Sequence, residues 1–487
     1  MTMEHTPYKT YQIWIKKGHR LFSYFQMMCE HAKNLYNTSN FYYRQVYTAL
    51  TSNKPLHPLQ EEVLQVIHTH IGRMNDIQLQ AYQKRVAKEQ MKPVDERKEV
   101  KANLFTKPTN EHPYINYAFL DCLFKVSKQS DYLSLPIQSS QHVMKTMFQN
   151  WKSFFASLSD YRKNPHKYKG KPRIPNYSSS KVKEVFFTNQ DCVIKNDRYL
   201  KFPKTKEQLN IGKMARIKGK LKQVRVLPKY GQFVVEVVWE CSLPEPTEKE
   251  PTHFMGIDLG IDNLATVVAN TGMKPVLIKG KRIKSMNQYY NKQKAYYTSI
   301  LCHGKSSNQG QHTSKKLERL HLNRHKQIKD LFHKASRHIV NLALQEQVDI
   351  IVIGQNKQWK QESNIGKRNN QQFCFIPHRL LIQMIEYKAI EHGIQVVITE
   401  ESYTSKASFL DLDFLPTYEK EKTYSFSGKR IKRGLYKSAK GILMNADVNG
   451  AYNMIRKVVP NAFANGIEGL NGSQSVNVST PLVLSVQ

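Results

Sequence analysis

The sequence predicts a multidomain protein of the mixed α/β and α+β class. Apolar residues recur at helical spacing through much of residues 21–180 and alternate with a period of two over 182–243. From residue 254 onwards, short apolar runs alternate with helical segments. A chain of 487 residues is long enough for about two to four domains, each with its own core.

The first part of the chain is predicted to be one strand followed by helices. YKTYQIWIKK (8–17) alternates as a strand does, and Phe25 and Met28 share one face of the helix that follows. A later helix carries a wide apolar stripe, which indicates core packing. The stripe consists of Val143, Met147, Trp151, Phe154, Phe155 and Leu158. We therefore assign residues 21–180 to a helical region.

Residues 181–250 are predicted to form most of an antiparallel β-barrel. Short runs such as EVFFT, DCVIKN and RYLKFP are separated by turn residues, and GQFVVEVVWE is a longer strand. Many short strands with turns between them are typical of small barrels. We expect the strand within residues 1–20 to complete this barrel.

Residues 251–457 are predicted to form a sheet of a different kind. FMGIDLG, LATVVAN and KPVLIKG are three closely spaced strands, and a long basic helical stretch follows them. The buried strands DIIVIG and IQVVIT come next with a helix between them, and a last helix begins in NADVNGAYN. This is the order of an RNase H-like fold. The tail at 458–487 is poor in charge, and we expect it to be disordered.

The charge of the chain indicates a polyanionic partner. Lys and Arg number 74 against 39 Asp and Glu, a formal net charge of +35. Nucleic acid is the commonest partner of such a surface, and anionic lipid is the rival. No stretch reaches the roughly 18 apolar residues of a membrane span, and the first residues do not read as a signal peptide. We expect a cytoplasmic, prokaryotic protein that contacts the nucleoid and no membrane.

The six cysteines are expected to be reduced and structural. They lie far apart and form no CxxC pair, which argues against a disulfide scaffold and a local zinc site. They are Cys29, Cys122, Cys192, Cys241, Cys302 and Cys374.

Two basic segments are candidates for contact with nucleic acid. YRKNPHKYKGKPRIPNY (161–177) interleaves cations with tyrosines and is broken by prolines, so it can lie along a sugar-phosphate chain or be a solvated linker. The second segment, 429–440, is either a contact surface or an ordinary solvated hairpin. The candidates are Arg162, Lys167, Lys169, Lys171, Arg173, Lys429, Arg430, Lys432 and Arg433.

Two aspartates are candidate metal ligands. Asp258 lies in an otherwise apolar strand, where an ionised carboxylate needs a compensating partner, although it can also begin the turn that follows. Asp447 opens the last helix, where a carboxylate can simply cap the helix. In an RNase H-like layout the two converge and form an oxygen site suited to two Mg²⁺ or Mn²⁺ ions.

These segments together resemble the TnpB (OrfB-type) transposon-encoded RNA-guided nucleases, which are related to compact type V CRISPR effectors and to Fanzor proteins. The resemblance rests on KYKGKPRIPNY, GIDLGIDNLATV, IVIGQNKQWKQ, FCFIPHRLLIQMIEYKAIEHGIQVV, ESYTSKAS and NADVNGAYNMIRK, within roughly residues 135–457. It implies an RNA-guided DNA endonuclease with one RuvC-type site, a helical recognition lobe at 21–180 and a wedge domain for the barrel. Its partners would be a guide RNA and double-stranded DNA, with no obligate protein partner.

The resemblance also implies a third catalytic carboxylate, and here the chain departs from the usual pattern. Asp258 and Asp447 match the family's first and last aspartates, whereas the usual glutamate after DIIVI is replaced by Gly354. Some branches of the family carry this glutamate just before YTSK. The sequence has both Glu400 and Glu401 there, and strand alternation puts them on opposite faces. We predict Glu401 as the metal ligand, with Glu400 as the alternative.

A second departure concerns zinc. Many relatives carry two CxxC pairs in the insert, but residues 402–444 contain no cysteine, so a four-thiolate site is excluded. We expect packing to hold the insert, through Phe409, Leu412, Phe414 and Leu435.

Three alternatives to a TnpB-type nuclease remain at this point. A guided repressor with an inactive site is favoured by Gly354 and disfavoured by Asp258 and Asp447. A compact type V CRISPR effector would share the same motifs. A transposase that joins DNA ends is the weakest alternative, because no separate transposase signature is present.

Overall fold

A computed structural model describes residues 8–242, 244, 250–306, 309–356, 366, 371, 374–419, 422–464 and 480–486. The chain divides into two compact units, Tyr8–Cys241 and Ser242–Gln487. Within the described residues no helix is long and apolar enough to cross a bilayer. Within the sequence PEPTEKEPTH, which begins at residue 244, residues 245–249 lie outside the described residues.

The unit Tyr8–Cys241 combines helices with two antiparallel sheets. Its helices are α1 (Phe22–Thr51), α2 (Pro58–Gln90), α3 (Tyr117–Val126), α4 (Ser130–Ser134) and α5 (Ile137–Lys163). Its strands are β1 (Tyr8–Ile15), β2 (Val185–Thr188), β3 (Val193–Lys195), β4 (Tyr199–Lys201), β5 (Gln208–Asn210), β6 (Lys220–Lys229) and β7 (Gln232–Glu240).

The first strand joins a sheet whose other members come from far along the chain. The order in this sheet is β1-β7-β6-β2, and β1 pairs with β7 along its whole length, from Tyr8 opposite Glu240 to Ile15 opposite Phe233. The second sheet has the order β3-β4-β5. The predicted participation of the N-terminal strand is therefore observed, while closure of both sheets into one barrel stays a prediction, as does the division between recognition lobe and wedge domain.

The apolar stripe of α5 packs into the core of this unit. Trp151 is buried and donates its indole N–H to the Asn40 side chain of α1 at 2.9 Å. Its ring lies 4.3 Å from that of Tyr43. Phe25 of α1 reaches the sheets, where its ring contacts Phe202 edge to face at 5.1 Å. Helical spacing in the sequence thus predicts the side chains that hold helices and sheets together.

The second unit is built on a mixed six-stranded sheet. Its strands are β8 (Phe254–Asp258), β9 (Asn263–Ala269), β10 (Val276–Lys279), β11 (Ile350–Gly354), β12 (Gln395–Thr399) and, near the chain end, β16 (Leu482–Leu484). The order is β12-β11-β8-β9-β10-β16. Strands β8, β9 and β10 form an antiparallel meander, and β11 is parallel to both β8 and β12.

Helices cover both faces of this sheet. They are α6 (Lys281–Leu301), α7 (Lys315–Gln345), α8 (His378–Ile390) and α9 (Ala446–Val458). Met255 and Ile257 of β8 share a core with residues of α7 and α8. Phe254 of β8 and Val352 of β11 face the other way, into a core with α9. Because strand side chains alternate, Asp258 and the backbone position of Gly354 belong to the α9 face.

The insert between β12 and α9 contains a small antiparallel sheet. Its strands are β13 (Lys429–Lys432), β14 (Leu435–Lys437) and β15 (Leu443–Asn445). Phe409 is buried and stacks on Tyr452 at 4.5 Å. The expectation that Leu412 and Phe414 pack in the same core was wrong, because these side chains are 62% and 77% exposed.

Hydrogen bonds to two aspartates join the parts of this insert. Asp411 accepts from the Ser408 hydroxyl at 2.6 Å and from the Ala439 N–H at 2.7 Å. Asp413 accepts from the backbone N–H of Ser408 at 2.7 Å and from the Ser427 hydroxyl at 2.6 Å. The two carboxylates thus connect the segment after YTSK with the β13–β15 region without thiolates.

The expected disorder of the tail was wrong for its end. Residues Leu482–Leu484 form β16, which pairs in parallel with β10, Val276 lying opposite Leu482. Val and Leu alternate there, as suits the edge of a sheet. Residues 465–479 lie outside the described residues, and the expectation for them stays a prediction.

We predict that Asp413→Ala destabilises the insert by about 1–3 kcal/mol, because it leaves the N–H of the buried Ser408 without its acceptor. The measurement is proteolysis within residues 402–444, together with thermal melting. Asp76→Ala, at an exposed position of α2, is the matched control and should change stability by less than about 0.5 kcal/mol. Chelator should affect neither protein. Wild-type proteolysis of the Asp413 variant would contradict this role.

Candidate active site

Asp258 lies at the last position of β8, beneath helix α9. Its Oδ2 is 3.3 Å from the place where a Cβ on Gly450 would stand. Burial, together with the charges of Glu401 and Asp447, raises the pKa of Asp258 well above its usual range. The structure therefore brings all three sequence-predicted acids close enough to interact electrostatically. A carboxyl so placed is stable in its ionised form only with a compensating cation.

Asp447 is in the first turn of α9 but does not cap the helix. Asn445 does so, because its side chain accepts the N–H groups of Asp447 at 2.9 Å and Val448 at 3.3 Å. The Asp447 carboxylate is left to make other contacts. The Asn263 amide donates to its Oδ2 at 2.7 Å, and the Arg430 guanidinium lies 3.8 Å from its Oδ1.

Asn263 is itself held by a lysine from the neighbouring strand. Lys279 donates its Nζ hydrogen to the Asn263 Oδ1 at 3.1 Å, which fixes the amide with its NH₂ towards Asp447. The β9–β10 register shifts between Ile278 and Lys279, and this irregularity sets Lys279 opposite Asn263. Sequence analysis missed both residues. The pattern GIDNLAT contains Asn263, but only the irregular pairing shows its partner.

The two adjacent glutamates have different environments. Lys457 donates to Glu400 at 2.5 Å, and so does the Ser402 hydroxyl at 3.1 Å. Burial raises the pKa of Glu400, but Lys457, the Ser402 hydroxyl and the Tyr418 N–H together outweigh it, so the pKa is lowered overall. Burial raises the pKa of Glu401 to about 7. Within the described residues its Oε1 is buried and has no hydrogen-bond partner.

The side chain of Glu401 occupies the space above Gly354. A Cβ on residue 354 would lie 2.7 Å from the Glu401 Cγ and 2.5 Å from the Met454 Cε, both far inside normal contact. Strands β11 and β12 are parallel, and Gly354 lies opposite Thr399. Glu401 comes two residues after Thr399 and therefore lies at the same edge of the sheet. A side chain at 354 would therefore require those of Glu401 and Met454 to move, which gives the glycine a steric reason.

The sequence-predicted basic residues fall in both units. Arg430 lies beside Asp447, Arg433 pairs with Asp262, and the β13 side chains are exposed. In the other unit, Lys167 approaches Asp160 at 3.8 Å. The remaining candidates of that unit are exposed as well, namely Arg162, Lys169, Lys171 and Arg173.

The donor set at this edge fits a hard divalent cation. Three carboxylates meet there, and one buried carboxylate oxygen has no protein donor. As the side chains stand, no three His, Cys, Asp or Glu residues of the described part are grouped tightly enough to hold one ion. Ion binding therefore requires the carboxylates to draw together, as a cation between repelling charges would make them do.

Two segments of the chain match families of known proteins. Residues 232–360 match the family OrfB_IS605, described as a probable transposase, and residues 378–454 match the Cas12f1-like TNB domain. The TnpB-like protein ORF457 of Acidianus two-tailed virus is 28% identical over 208 residues, 42% of this chain and 41% of that protein. Over these segments the chain is similar to TnpB-type proteins. The resemblance found in the sequence is therefore confirmed.

Solved structures similar to this chain include CRISPR effector complexes. The Cas12f1-sgRNA-target DNA complex has a TM-score of 0.45 at 10% identity, covering 89% of this chain and 82% of that one. A CRISPR-Cas12f ternary complex has a TM-score of 0.31 at 11% identity, covering 81% of each chain. The match to the viral relative spans less than half of that protein's length, so the activity and partners of the whole protein are proposals.

We predict that Glu401→Gln raises the melting temperature of the metal-free protein at pH 8, and that the gain shrinks as the pH is lowered to 5. Burial raises the pKa of Glu401 from 4.5 to about 7, so the folded state binds an extra proton between those values and loses this stabilisation as the pH rises. The difference corresponds to about 3 kcal/mol at most.

Glu400→Gln is the matched control, measured in the same chelator-containing buffers. It should lower the melting temperature at pH 8, because it removes the negative partner of the mostly buried Lys457. A lower melting temperature for Glu401→Gln at pH 8 would show that the Glu401 charge is compensated in the folded protein.

Proposed function

We propose that this TnpB-like protein is an RNA-guided DNA endonuclease that cuts with Asp258, Glu401 and Asp447. The observation that carries the proposal is Glu401 above Gly354, whose buried Oε1 has no hydrogen-bond partner among the described residues and whose charge acts on Asp258 together with that of Asp447. An antiparallel meander followed by two parallel strands supports an RNase H-like, RuvC-type domain.

Asp258, Glu401 and Asp447 are the residues that would hold two Mg²⁺ or Mn²⁺ ions. When bound, such ions activate a water and stabilise the leaving oxygen in phosphodiester hydrolysis. Asn263 would keep one Asp447 oxygen in place and leave the other towards the site. Arg430 is close enough to that second oxygen to move between the carboxylate and a phosphate of the DNA.

Charge supports the proposed partners, a guide RNA and double-stranded DNA. A formal net charge of +35 matches a protein that must hold a heteroduplex and a displaced strand. The lysines and arginines of both basic segments are exposed, and the segment at 429–440 includes Arg430, which lies beside Asp447. A repressor without cleavage and a compact type V CRISPR effector share these partners. Sequencing the RNA that copurifies with the protein separates a transposon guide from a CRISPR guide.

We expect Asp258→Ala, Asp447→Ala and Glu401→Gln each to lower Mg²⁺-dependent cleavage of matched DNA by at least about 1,000-fold. Each substitution removes a ligand of the ions that would stabilise the transition state. Binding of the copurifying RNA should be unchanged. Glu400→Gln is the control and should keep cleavage within about tenfold. If Glu400→Gln abolishes cleavage and Glu401→Gln does not, the ligand is the other glutamate. RNA binding without cleavage by the wild type in Mg²⁺ or Mn²⁺ would favour the repressor.

Asn263→Ala should raise the Mg²⁺ concentration for half-maximal cleavage by about 10- to 100-fold, since it frees a ligand to rotate. Lys279→Met should act in the same direction but more weakly. The second readout is the rise in melting temperature on adding Mg²⁺ without nucleic acid, which should decrease in both variants.

The matched control for a merely structural effect is Asn270→Ala. The Asn270 side-chain amide accepts the Phe254 N–H and donates to the Thr252 carbonyl. It therefore supports the same sheet but has no proposed role at the carboxylates. This variant should melt lower without changing the Mg²⁺ requirement. An unchanged Mg²⁺ requirement in Asn263→Ala would remove Asn263 from the metal site.

A further inference from the structure

A basic cleft lies between α7 and α8, built from residues that the proposed cleavage chemistry does not use. Its volume is about 590 Å³, and it is open to solvent. Among the described residues that line it, none is acidic. The residues that give the cleft its charge and shape are His333, Lys334, Arg337, His338, Tyr387 and Lys388.

Lys388 is the unusual member of this cleft. It is only 4% exposed, and its Nζ donates to the His333 carbonyl at 2.8 Å and to the Ser336 hydroxyl at 2.6 Å. Both acceptors are neutral. Burial, and then the charge of Arg337, lower the pKa of Lys388 to about 8, while Glu391 acts weakly against them. A buried ammonium with two neutral acceptors and a neighbouring guanidinium is held there at a cost in free energy.

A structural explanation accounts for only part of this arrangement. Lys388 can tie α8 to α7 through the two hydrogen bonds, but a methionine of similar length would pack there without the burial cost of a charge. An anion in the cleft removes that cost, because it would meet Lys388, Arg337 and Lys334 together. Lys334 now pairs with Asp330 one helical turn away, at 2.9 Å and with both side chains about half exposed, so it can exchange partners easily.

We propose that this cleft binds a phosphate group, and that the phosphate belongs to the backbone of the guide RNA. The assignment to RNA rests on the proposed function, whereas the phosphate site itself does not. Arg337 offers paired N–H donors and the lysines offer point charges, the combination that suits phosphate oxygens. The Tyr387 ring is 43% exposed at the rim and gives a base or ribose next to that phosphate an aromatic face.

The phosphate site is tested by melting the full chain without nucleic acid, in inorganic phosphate and in chloride of equal ionic strength. Phosphate should raise the melting temperature of the wild type. Lys388→Met and Arg337→Met should each lose most of this rise. Lys101→Met, at an exposed lysine of the other unit, is the control for lost charge and should keep it. If both cleft variants keep the wild-type response, the proposal is overturned. Arg337→Met, at an exposed position, decides the matter should Lys388→Met fail to fold.

The RNA assignment is tested with the copurifying RNA over a series of salt concentrations. Each cleft variant should bind it several-fold more weakly at about 0.15 M salt, and the slope of log affinity against log salt should fall by about 0.7–0.9. If the cleft variants lose the melting response to phosphate but keep the wild-type salt slope for RNA binding, the phosphate site is supported and its assignment to RNA is overturned. A wild type that copurifies with no RNA contradicts the proposed function instead, and leaves the phosphate result standing.

Discussion

The close approach of α9 to β8 is the constraint on which the candidate active site depends. A side chain on Gly256 would overlap the Ala451 carbonyl oxygen, and one on Gly450 would press on Asp258. Glycine at both positions lets the helix lie almost on the strand. The helix start, with Asp447, is thereby brought over the end of β8. A further glycine, Gly354, leaves room above the neighbouring strand for the side chain of Glu401.

The apolar cores on both faces of the sheet make this concentration of acids possible. Met255 and Ile257 pack under α7 and α8, and the other face packs under α9, so the strand ends are held in place whether or not their carboxylates repel each other. The structure relieves that repulsion only in part, through Asn263 and Arg430 near Asp447. Natural sites that bind substrates or ions often retain such uncompensated charge. The same argument applies to Lys388, whose uncompensated charge is positive.

Much of the fold could be predicted from residue periodicity. The meander β8–β10, the parallel strands β11 and β12 and the start of α9 follow from apolar runs of strand length and from an amphipathic helix. Leu412 and Phe414 could not be placed, because an apolar residue in an irregular insert is buried only if a neighbour covers it. The pairing of β16 with β10 escaped prediction for a similar reason, since a short strand is stabilised by a distant partner.

The amino-acid sequence alone defines the chemistry available to this protein: the charge excess, Asp258, Asp447, the glutamate pair, Gly354 and the absence of cysteines from the insert. These are properties of residue type and order. The sequence already favoured Glu401 over Glu400, but their different environments appear only in the folded chain, where Lys457 of α9 pairs with Glu400 and Glu401 is buried. It also supplied Asn263, Lys279 and the cleft around Lys388, since contacts between residues distant in the chain arise only when the sheet and its helices pack.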